Sequence, residues 1–290
     1  MARTDRVRDG WLERDGVRLH HVEWGDPSSP RPALLLLHGL SSNARYWERL
    51  ARALPGRRIV ALDQRSHGLS DRPATGYETA ELVADAALAI TSLEMERVVL
   101  AGHSWGATIA LALAVSRPDL VGGLAFIDAG LTSMAGRMSR EEALSMMEPD
   151  LPVYADLEEA AAAARRYLED AWEDDLMPFV EAGLAAGPES SGLVSTLTAP
   201  VRRQILEAMF AGRPAELWPR VEGPVLIALA ERSWEPFLTI KREGVARVRS
   251  LLPGVTVRWY DSPHDIPVVR PAELAADLEV LSRAVAVHPR

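Results

Sequence analysis

The first 130 residues alternate between short apolar runs and helical patterns, and this alternation constrains the fold more than any other feature of the sequence. The continuous runs "PALLLLHG", "RRIVALDQR", "RVVLAG" and "VGGLAFID" are typical of strands buried on both faces of a parallel sheet. Between them, "TAELVADAALAITSL" and "WGATIALALAVSRP" have the length and apolar content of helices. The alternation therefore predicts an α/β fold with helices on both faces of a mostly parallel sheet.

An insertion interrupts this pattern over residues 131–215, where helical stretches punctuated by Pro and Gly replace the alternation. The alternation resumes with the strand "GPVLIALA", a helix, the strand "VTVRWYDS" and a last helix. Together with a hairpin around Asp15-Gly16, the predicted strands number eight. We predict a core domain of residues 1–130 and 216–290 and an all-helical insertion of residues 131–215. The last helix should bury one face, formed by Leu274, Leu278, Leu281 and Val285.

Composition excludes several classes of function. The 290 residues include no cysteine, which excludes disulfides, thiolate catalysis and cysteine metal sites. Residues 131–219 contain seven Arg and sixteen Asp or Glu, and no segment forms the basic stripe that nucleic-acid binding requires. The start of the chain lacks the apolar core of a secretory signal, and its longest apolar run is too short to span a bilayer. We therefore expect a soluble, cytoplasmic protein with no nucleic-acid partner and no membrane association.

The segment "GHSWG", residues 102–106, lies where a predicted strand gives way to a predicted helix. A serine hydroxyl is a weak nucleophile unless a base accepts its proton. The Gly-x-Ser-x-Gly pattern allows the chain to turn sharply, so that the serine occupies a strained, exposed corner. The helix that begins at Trp105 directs free N–H groups and its positive dipole end toward charge that forms beside Ser104. The pattern predicts Ser104 as a nucleophile.

A second segment, "LLLLHGLSS", ends a predicted strand at His38-Gly39-Leu40. A tetrahedral intermediate requires hydrogen-bond donors for its oxyanion, and backbone N–H groups at such a turn and after a nucleophile can supply them. We assign these donors to the N–H groups of Leu40 and Trp105. The side chain of His38 is expected to order the loop through hydrogen bonds.

A base must accept the serine proton, and His264 has the most suitable position among the seven histidines. It lies in "WYDSPHDIPVVRP", in a loop between the last predicted strand and the last predicted helix. Sites in open α/β sheets gather at this carboxyl edge of the strands. The other histidines lie on an early strand, in loops that they order, beside the serine or in the tail: His20, His21, His38, His67, His103 and His288.

Four segments, "HGLSSNARYW", "ALDQRSHGLSD", "AGHSWGA" and "SPHDIP", resemble the α/β-hydrolase superfamily in their order and spacing. The resemblance covers nearly the whole chain. It implies an α/β-hydrolase fold in which the helical insertion is the cap that roofs the active site. It also implies that Ser104 is the nucleophile, that His264 is the base, and that the N–H groups of Leu40 and Trp105 form the oxyanion hole.

The acid of the triad departs from the usual family pattern. Most relatives have an aspartate after the strand that follows the cap, as in Gly-x-x-Asp-Pro, whereas this chain reads "LIALAERSWEPFL", with Ser233 in its place. Some capped members, including haloalkane dehalogenases and certain lactonases, carry the acid at the end of the strand before the cap, where this chain has Asp128. We predict that Asp128 fixes the histidine tautomer, with Glu235 and Glu231 as alternatives.

The residues around the serine also bear on the substrate. "GHSWGA" resembles the "GHDWGA" of epoxide hydrolases and haloalkane dehalogenases, with Ser104 replacing their aspartate. Serine suits acyl transfer to water, which favours an apolar carboxylic ester or lactone as the small-molecule substrate, with no cofactor or metal. Hydrolysis of a diketone C–C bond or of an amide fits the same residues. A non-catalytic ligand-binding protein, as found among the hormone receptors of this superfamily, is an alternative from another class.

Overall fold

The computed structural model describes residues 7–135, 137–147, 151–187 and 192–287. His288 and the first six residues lie outside these ranges. The expectation about a secretory signal rests in part on those first six residues. The strands in these ranges are β1 (Arg8–Arg14), β2 (Val17–Trp24), β3 (Leu34–Leu37), β4 (Ile59–Leu62), β5 (Val98–His103), β6 (Val121–Ile127), β7 (Val153–Tyr154), β8 (Leu184–Ala186), β9 (Leu193–Ser195), β10 (Val225–Ala230) and β11 (Thr256–Tyr260). The α-helices are α1 (Glu48–Arg52), α2 (Thr79–Ser92), α3 (Trp105–Ser116), α4 (Arg140–Met147), α5 (Leu157–Leu168), α6 (Met177–Ala182), α7 (Ala199–Ala211), α8 (Pro214–Leu217), α9 (Glu235–Leu251), α10 (Ile266–Val269) and α11 (Pro271–Val287).

Eight strands form one sheet in the order β1-β2-β4-β3-β5-β6-β10-β11. β2 pairs antiparallel with β1 and with β4, and every other neighbouring pair in this sheet is parallel. β3, β4, β5, β6 and β10 consist entirely of buried residues, as their continuous apolar sequences predict. The mostly parallel eight-stranded sheet is therefore confirmed. Because these strands run in one direction, the loops that follow them emerge at one edge of the sheet.

Two apolar layers pack against the two faces of this sheet. One layer includes side chains of α2, α3 and α9, and the other includes side chains of α1 and α11. The predicted apolar face of α11 is confirmed, since its four residues are buried: Leu274, Leu278, Leu281 and Val285. In the part of the chain that the structure describes, every helix falls short of the length and apolar character that a membrane crossing requires.

The insertion contains strands as well as helices, so the prediction of an all-helical cap was wrong in this respect. α4 to α7 are present, but β7, β9 and β8 form a small antiparallel sheet in that order. Each of these strands has only two or three residues. Such short strands show no alternation that would identify them in a sequence, and the pairing of β7 with β9 joins segments about 40 positions apart.

Charged side chains hold the insertion against the sheet domain. The guanidinium of Arg49 in α1 binds the carboxylate of Asp175, with 2.6 Å between Nη2 and Oδ1. Arg202 of α7 donates a hydrogen bond to the hydroxyl of Ser41, in the loop that follows β3. These contacts place the insertion over the carboxyl edge of the sheet, where the predicted site residues lie.

Candidate active site

Ser104 lies at the turn between β5 and α3. Its backbone has φ 53° and ψ −121°, a combination that residues other than glycine rarely adopt. The N–H of Ser104 donates a hydrogen bond of 2.8 Å to the carbonyl oxygen of Ile127, at the end of β6. Strain of this kind costs about 1–3 kcal/mol and persists only where the surrounding structure determines the backbone. The observed strain is the one that the Gly-x-Ser-x-Gly pattern predicts.

The flanking glycines are required by close approach of backbone atoms. A Cβ atom on Gly102 would collide with the carbonyl oxygen of Gly106. A Cβ atom on Gly106 would collide with the carbonyl oxygens of Leu37 and His38. Packing of α3 against β3 and β5 therefore dictates both glycines around the serine.

His38 orders the loop that carries Leu40. Its Nδ1–H donates a hydrogen bond of 2.8 Å to the carbonyl oxygen of Gly39. Its Nε2 accepts a hydrogen bond of 3.1 Å from the N–H of Gln64. Burial lowers the pKa of His38, so the imidazole is neutral and can serve as both donor and acceptor. The expected structural role of His38 is confirmed.

His67 supports the same loop from the other side. Its Nε2 accepts a hydrogen bond of 3.2 Å from the N–H of Ser41, and its Nδ1–H donates to the carbonyl oxygen of Arg65 at 3.1 Å. Burial, with the nearby His38, lowers the pKa of His67 to about 3. His67 is therefore a neutral residue that orders the loop, as the sequence predicts.

The two predicted oxyanion donors lie in segments that flank the serine. Among the described residues, neither the N–H of Leu40 nor that of Trp105 has a hydrogen-bond partner in the protein. Trp105 is the first residue of α3, where backbone N–H groups have no partner within the helix. The indole of Trp105 is 2% exposed and packs against His67, with ring centroids 5.3 Å apart. This side chain supports the elbow, and the available donor is its backbone.

Asp128 follows β6, and its carboxylate binds groups from three other parts of the chain. Its Oδ2 accepts a hydrogen bond of 2.7 Å from Nδ1–H of His264. Its Oδ1 accepts from the N–H of Ala230 at 2.9 Å and lies 2.7 Å from Nζ of Lys241. The side chain of Asp128 is 2% exposed. The carboxylate is thus buried with all of these partners in place, which is the condition for a stable charge in the interior.

The pKa shifts of this pair keep the charges on the expected atoms. Burial by itself raises the pKa of Asp128, but hydrogen bonding and charge from His264 and Lys241 outweigh burial and hold it below its ordinary value. Burial by itself lowers the pKa of His264, but Asp128 and Asp265 outweigh burial and raise it. An ionised Asp128 accepts a hydrogen bond from Nδ1–H of neutral His264. The Nε2 atom of His264 is then free to accept a proton, which is the tautomer that a general base needs.

The structure separates Asp128 from the alternative acids. Glu235 begins α9, and its side chain is 67% exposed and pairs with Arg242 at 3.2 Å. Glu231 is exposed as well. Asp128 is the carboxylate that contacts Nδ1 of His264, and it therefore has the geometry expected of the acid.

His264 lies beside the serine elbow. Nε2–H of His103 donates a hydrogen bond of 3.0 Å to the carbonyl oxygen of His264, and the two rings lie 4.5 Å apart between centroids. Burial, with the nearby His264, lowers the pKa of His103 to about 4, so His103 is neutral. Because His103 immediately precedes Ser104, this contact holds the loop of His264 against the elbow. His20 and His21 lie on β2, as predicted.

Asp265 is a residue of this region that the sequence analysis missed. Its carboxylate accepts hydrogen bonds from the hydroxyl of Tyr46 at 3.0 Å and from that of Tyr167 at 2.9 Å. Tyr46 belongs to the core, and Tyr167 belongs to α5 of the insertion. The carboxylate therefore ties the loop of His264 to both parts of the molecule. The motif "SPHDIP" includes Asp265, but its partners lie 219 and 98 positions away and leave no local signal.

Comparison with known proteins relates this chain to hydrolases. Residues 34–277 match the profile of the alpha/beta hydrolase family. The chain is 42% identical over 98 residues to 2-(acetamidomethylene)succinate hydrolase of Mesorhizobium japonicum, across 33% of this chain and 35% of the relative. It is 34% identical over 164 residues to the lipase LipV of Mycobacterium tuberculosis, across 57% of this chain and 60% of the relative. The matches thus span less than two thirds of either relative.

The crystal structure of E-2-(acetamidomethylene)succinate hydrolase superposes on this structure with a TM-score of 0.80. The superposition covers 96% of this chain and 100% of the other, at 24% sequence identity. At this level of identity the likeness shows a shared fold.

The elbow makes a prediction about stability. Replacement Gly106→Ala should lower the free energy of unfolding by about 1–3 kcal/mol, because the added methyl group collides with backbone atoms of β3 and the residue after it. Gly254→Ala is the matched control, since an added Cβ there meets no atom within 4 Å. Urea unfolding of the two variants measures the difference. Equal stability of both variants and the wild type would contradict the close approach.

Proposed function

The chain belongs to the alpha/beta hydrolase family, and on that premise we propose that it hydrolyses a carboxylic ester or lactone through an acyl-enzyme on Ser104. The observation that carries the proposal is the 2.7 Å hydrogen bond between His264 and the buried carboxylate of Asp128. A histidine oriented by a third group, beside a serine on an elbow, is the arrangement that activates a hydroxyl nucleophile.

In the proposed mechanism, Oγ of Ser104 attacks the carbonyl carbon while Nε2 of His264 accepts the serine proton. The N–H groups of Leu40 and Trp105 donate to the oxyanion of the tetrahedral intermediate. The imidazolium, stabilised by Asp128, then gives its proton to the leaving alcohol oxygen, and the acyl group remains on the serine. Water, deprotonated by His264, then attacks the acyl carbon. The bond to Oγ of Ser104 breaks, Oγ takes the proton back from His264, and the carboxylic acid leaves. Each step uses groups of this chain and water, without a cofactor.

The identity of the nucleophile favours acyl transfer over the opening of an epoxide. The elbow carries a serine, whose attack on a carbonyl gives an ester that water can hydrolyse. The lipase among the relatives is consistent with this class of substrate. We propose a largely apolar substrate, because six of the eight methionines lie in residues 131–215, where they can form an adaptable apolar wall.

Hydrolysis of an amide or of a C–C bond is the second candidate. It is favoured by the 42% identity over 98 residues to 2-(acetamidomethylene)succinate hydrolase, whose named substrate carries an acetamido group. Both candidates use the same nucleophile and base, and they differ in the group that leaves.

A fluorophosphonate probe should add one phosphonyl group to the wild-type protein at Ser104 and none to Ser104→Ala, because the reaction needs an activated serine and an oxyanion hole. Ser116→Ala, which alters an exposed serine at the end of the same helix, should label like the wild type. Intact-mass spectrometry and peptide mapping give the result. Absence of labelling in the wild type would contradict the proposed function and favour the ligand-binding alternative.

The same preparations then test the substrate class. A panel of p-nitrophenyl esters of increasing chain length, with small and macrocyclic lactones, should give a higher kcat/KM than the matching anilides. The value of kcat/KM should rise with the length of the acyl chain, because burial of additional apolar surface stabilises the bound substrate. A higher kcat/KM for the anilides would overturn the ester and lactone proposal in favour of the second candidate.

Asp128→Asn should lower kcat by about 10⁴-fold, because an asparagine amide stabilises the wrong histidine tautomer. Glu235→Gln should keep activity close to that of the wild type, since its exposed carboxylate pairs only loosely with Arg242. Steady-state turnover of the preferred ester compares the two variants. Near-full activity of Asp128→Asn would show that another carboxylate acts as the acid.

The pH dependence of kcat/KM should follow the protonation of His264. The base must be neutral, so activity should fall as the pH drops through its pKa. Burial lowers that pKa, but Asp128 and Asp265 raise it by more than burial lowers it. The acid limb should therefore lie above about 6.5, the ordinary value for histidine. Rates measured in buffers of constant ionic strength give the limb. A midpoint clearly below that value would contradict the assignment of His264.

A further inference from the structure

Lys241 is the single lysine among the 32 lysine and arginine residues of the chain. It lies in α9, and its Nζ atom is 2.7 Å from Oδ1 of Asp128. The other carboxylate oxygen of Asp128 binds His264. All of the remaining lysine or arginine positions in the chain are thus occupied by arginine. The one lysine lies beside the carboxylate that orients the histidine.

The surroundings of Lys241 match an ammonium group. Besides Asp128, its Nζ donates hydrogen bonds to Oγ of Ser233 at 2.8 Å and to the carbonyl oxygen of Ala230 at 3.1 Å. Three acceptors therefore meet the three donors of the ammonium. The side chain is 12% exposed. The planar fork of an arginine directs its donors outward in one plane and fits three converging acceptors poorly.

Ser233 is part of this arrangement. It stands in the loop after β10, where the resemblance to the α/β-hydrolase superfamily leads one to expect an aspartate. Its hydroxyl accepts from Lys241 at 2.8 Å. The polar group after β10 thus supports the lysine, and the carboxylate after β6 contacts the histidine.

We propose that Lys241 is a positioning residue of the active site, which holds the carboxylate of Asp128 toward His264 and limits how strongly that carboxylate attracts the proton of His264. This inference rests on the proposed function of Ser104, His264 and Asp128. The N–H of Ala230 and the ammonium of Lys241 bind one carboxylate oxygen, and the other oxygen is left to His264.

The charges around His264 explain why the lysine matters. Asp128 follows β6, Asp265 lies in the histidine's own loop, His103 lies at the elbow, and Lys241 extends from α9. Both aspartates raise the pKa of His264, His103 is neutral, and Lys241 lowers that pKa. The positive charge of Lys241 partly offsets the aspartates, and so keeps more of His264 neutral, and active as a base, at a given pH.

The inference is tested with two substitutions that separate charge from shape. Lys241→Met removes the charge, so the acid limb of kcat/KM should move to higher pH by about one unit. The accompanying loss of activity should appear as a lower kcat, with KM unchanged. Lys241→Arg keeps the charge, so the limb should stay at the wild-type pH while kcat falls. Arg242→Met, one residue further along α9, is the control and should leave the profile unchanged, since Arg242 is exposed and pairs with Glu235. An unchanged limb in Lys241→Met would overturn the inference.

A second measurement needs neither substrate nor turnover. Lysine labelled with ¹³C at Cε gives one side-chain resonance for the whole protein, because the sequence contains a single lysine. Asp128→Asn should move this resonance, and Lys241→Met should move the NMR titration of His264 to higher pH. A lysine resonance whose chemical shift is the same in Asp128→Asn and in the wild type would overturn the inference, even if Lys241→Met fails to fold. A failure of Ser104 to react with the fluorophosphonate would instead remove the proposed function and leave the measured coupling in place.

Discussion

The buried carboxylate of Asp128 is the interaction on which the arrangement of the site depends. One oxygen binds His264, and the other binds the backbone of Ala230 and the ammonium of Lys241. A charge that is 2% exposed is stable in the interior only when its partners are present. The loops after β6, β10 and β11, together with α9, are therefore held in their relative positions by one charged group. The orientation of His264 follows from this group, and the protonation of His264 responds to it.

Much of the fold could be predicted because its determinants are local in the sequence. Continuous apolar runs identify the central strands, and the edge where their loops emerge follows from their parallel direction. The elbow is predictable for the same reason, since Gly102 and Gly106 are required by contacts that any strand–turn–helix of this shape makes. The choice of acid was less certain from sequence, because Asp128 and Glu235 both follow strands that end at the same edge. The exposed fraction of each side chain, 2% against 67%, separates them in the structure.

The features that the sequence could not reveal depend on contacts between distant segments. The strands of the insertion are too short to show a pattern, and their pairing arises only when the insertion folds. The carboxylate of Asp265 joins Tyr46 and Tyr167, which lie in different parts of the molecule. The single lysine is visible in the sequence, but its meaning depends on the packing of α9 beside the end of β6. In each case the interaction has no periodicity or spacing that a sequence pattern could carry.

In the mechanism we propose, Ser104, His264, Asp128 and two backbone N–H groups act together on a carbonyl substrate. A crystal structure of the protein after reaction with a phosphonate inhibitor tests this most directly. Phosphorus should be bonded to Oγ of Ser104, with one phosphonyl oxygen about 2.7–3.1 Å from the backbone nitrogens of Leu40 and Trp105. His264 should still bind Asp128 in that adduct. An adduct on another residue, or a phosphonyl oxygen directed away from both N–H groups, would contradict this mechanism.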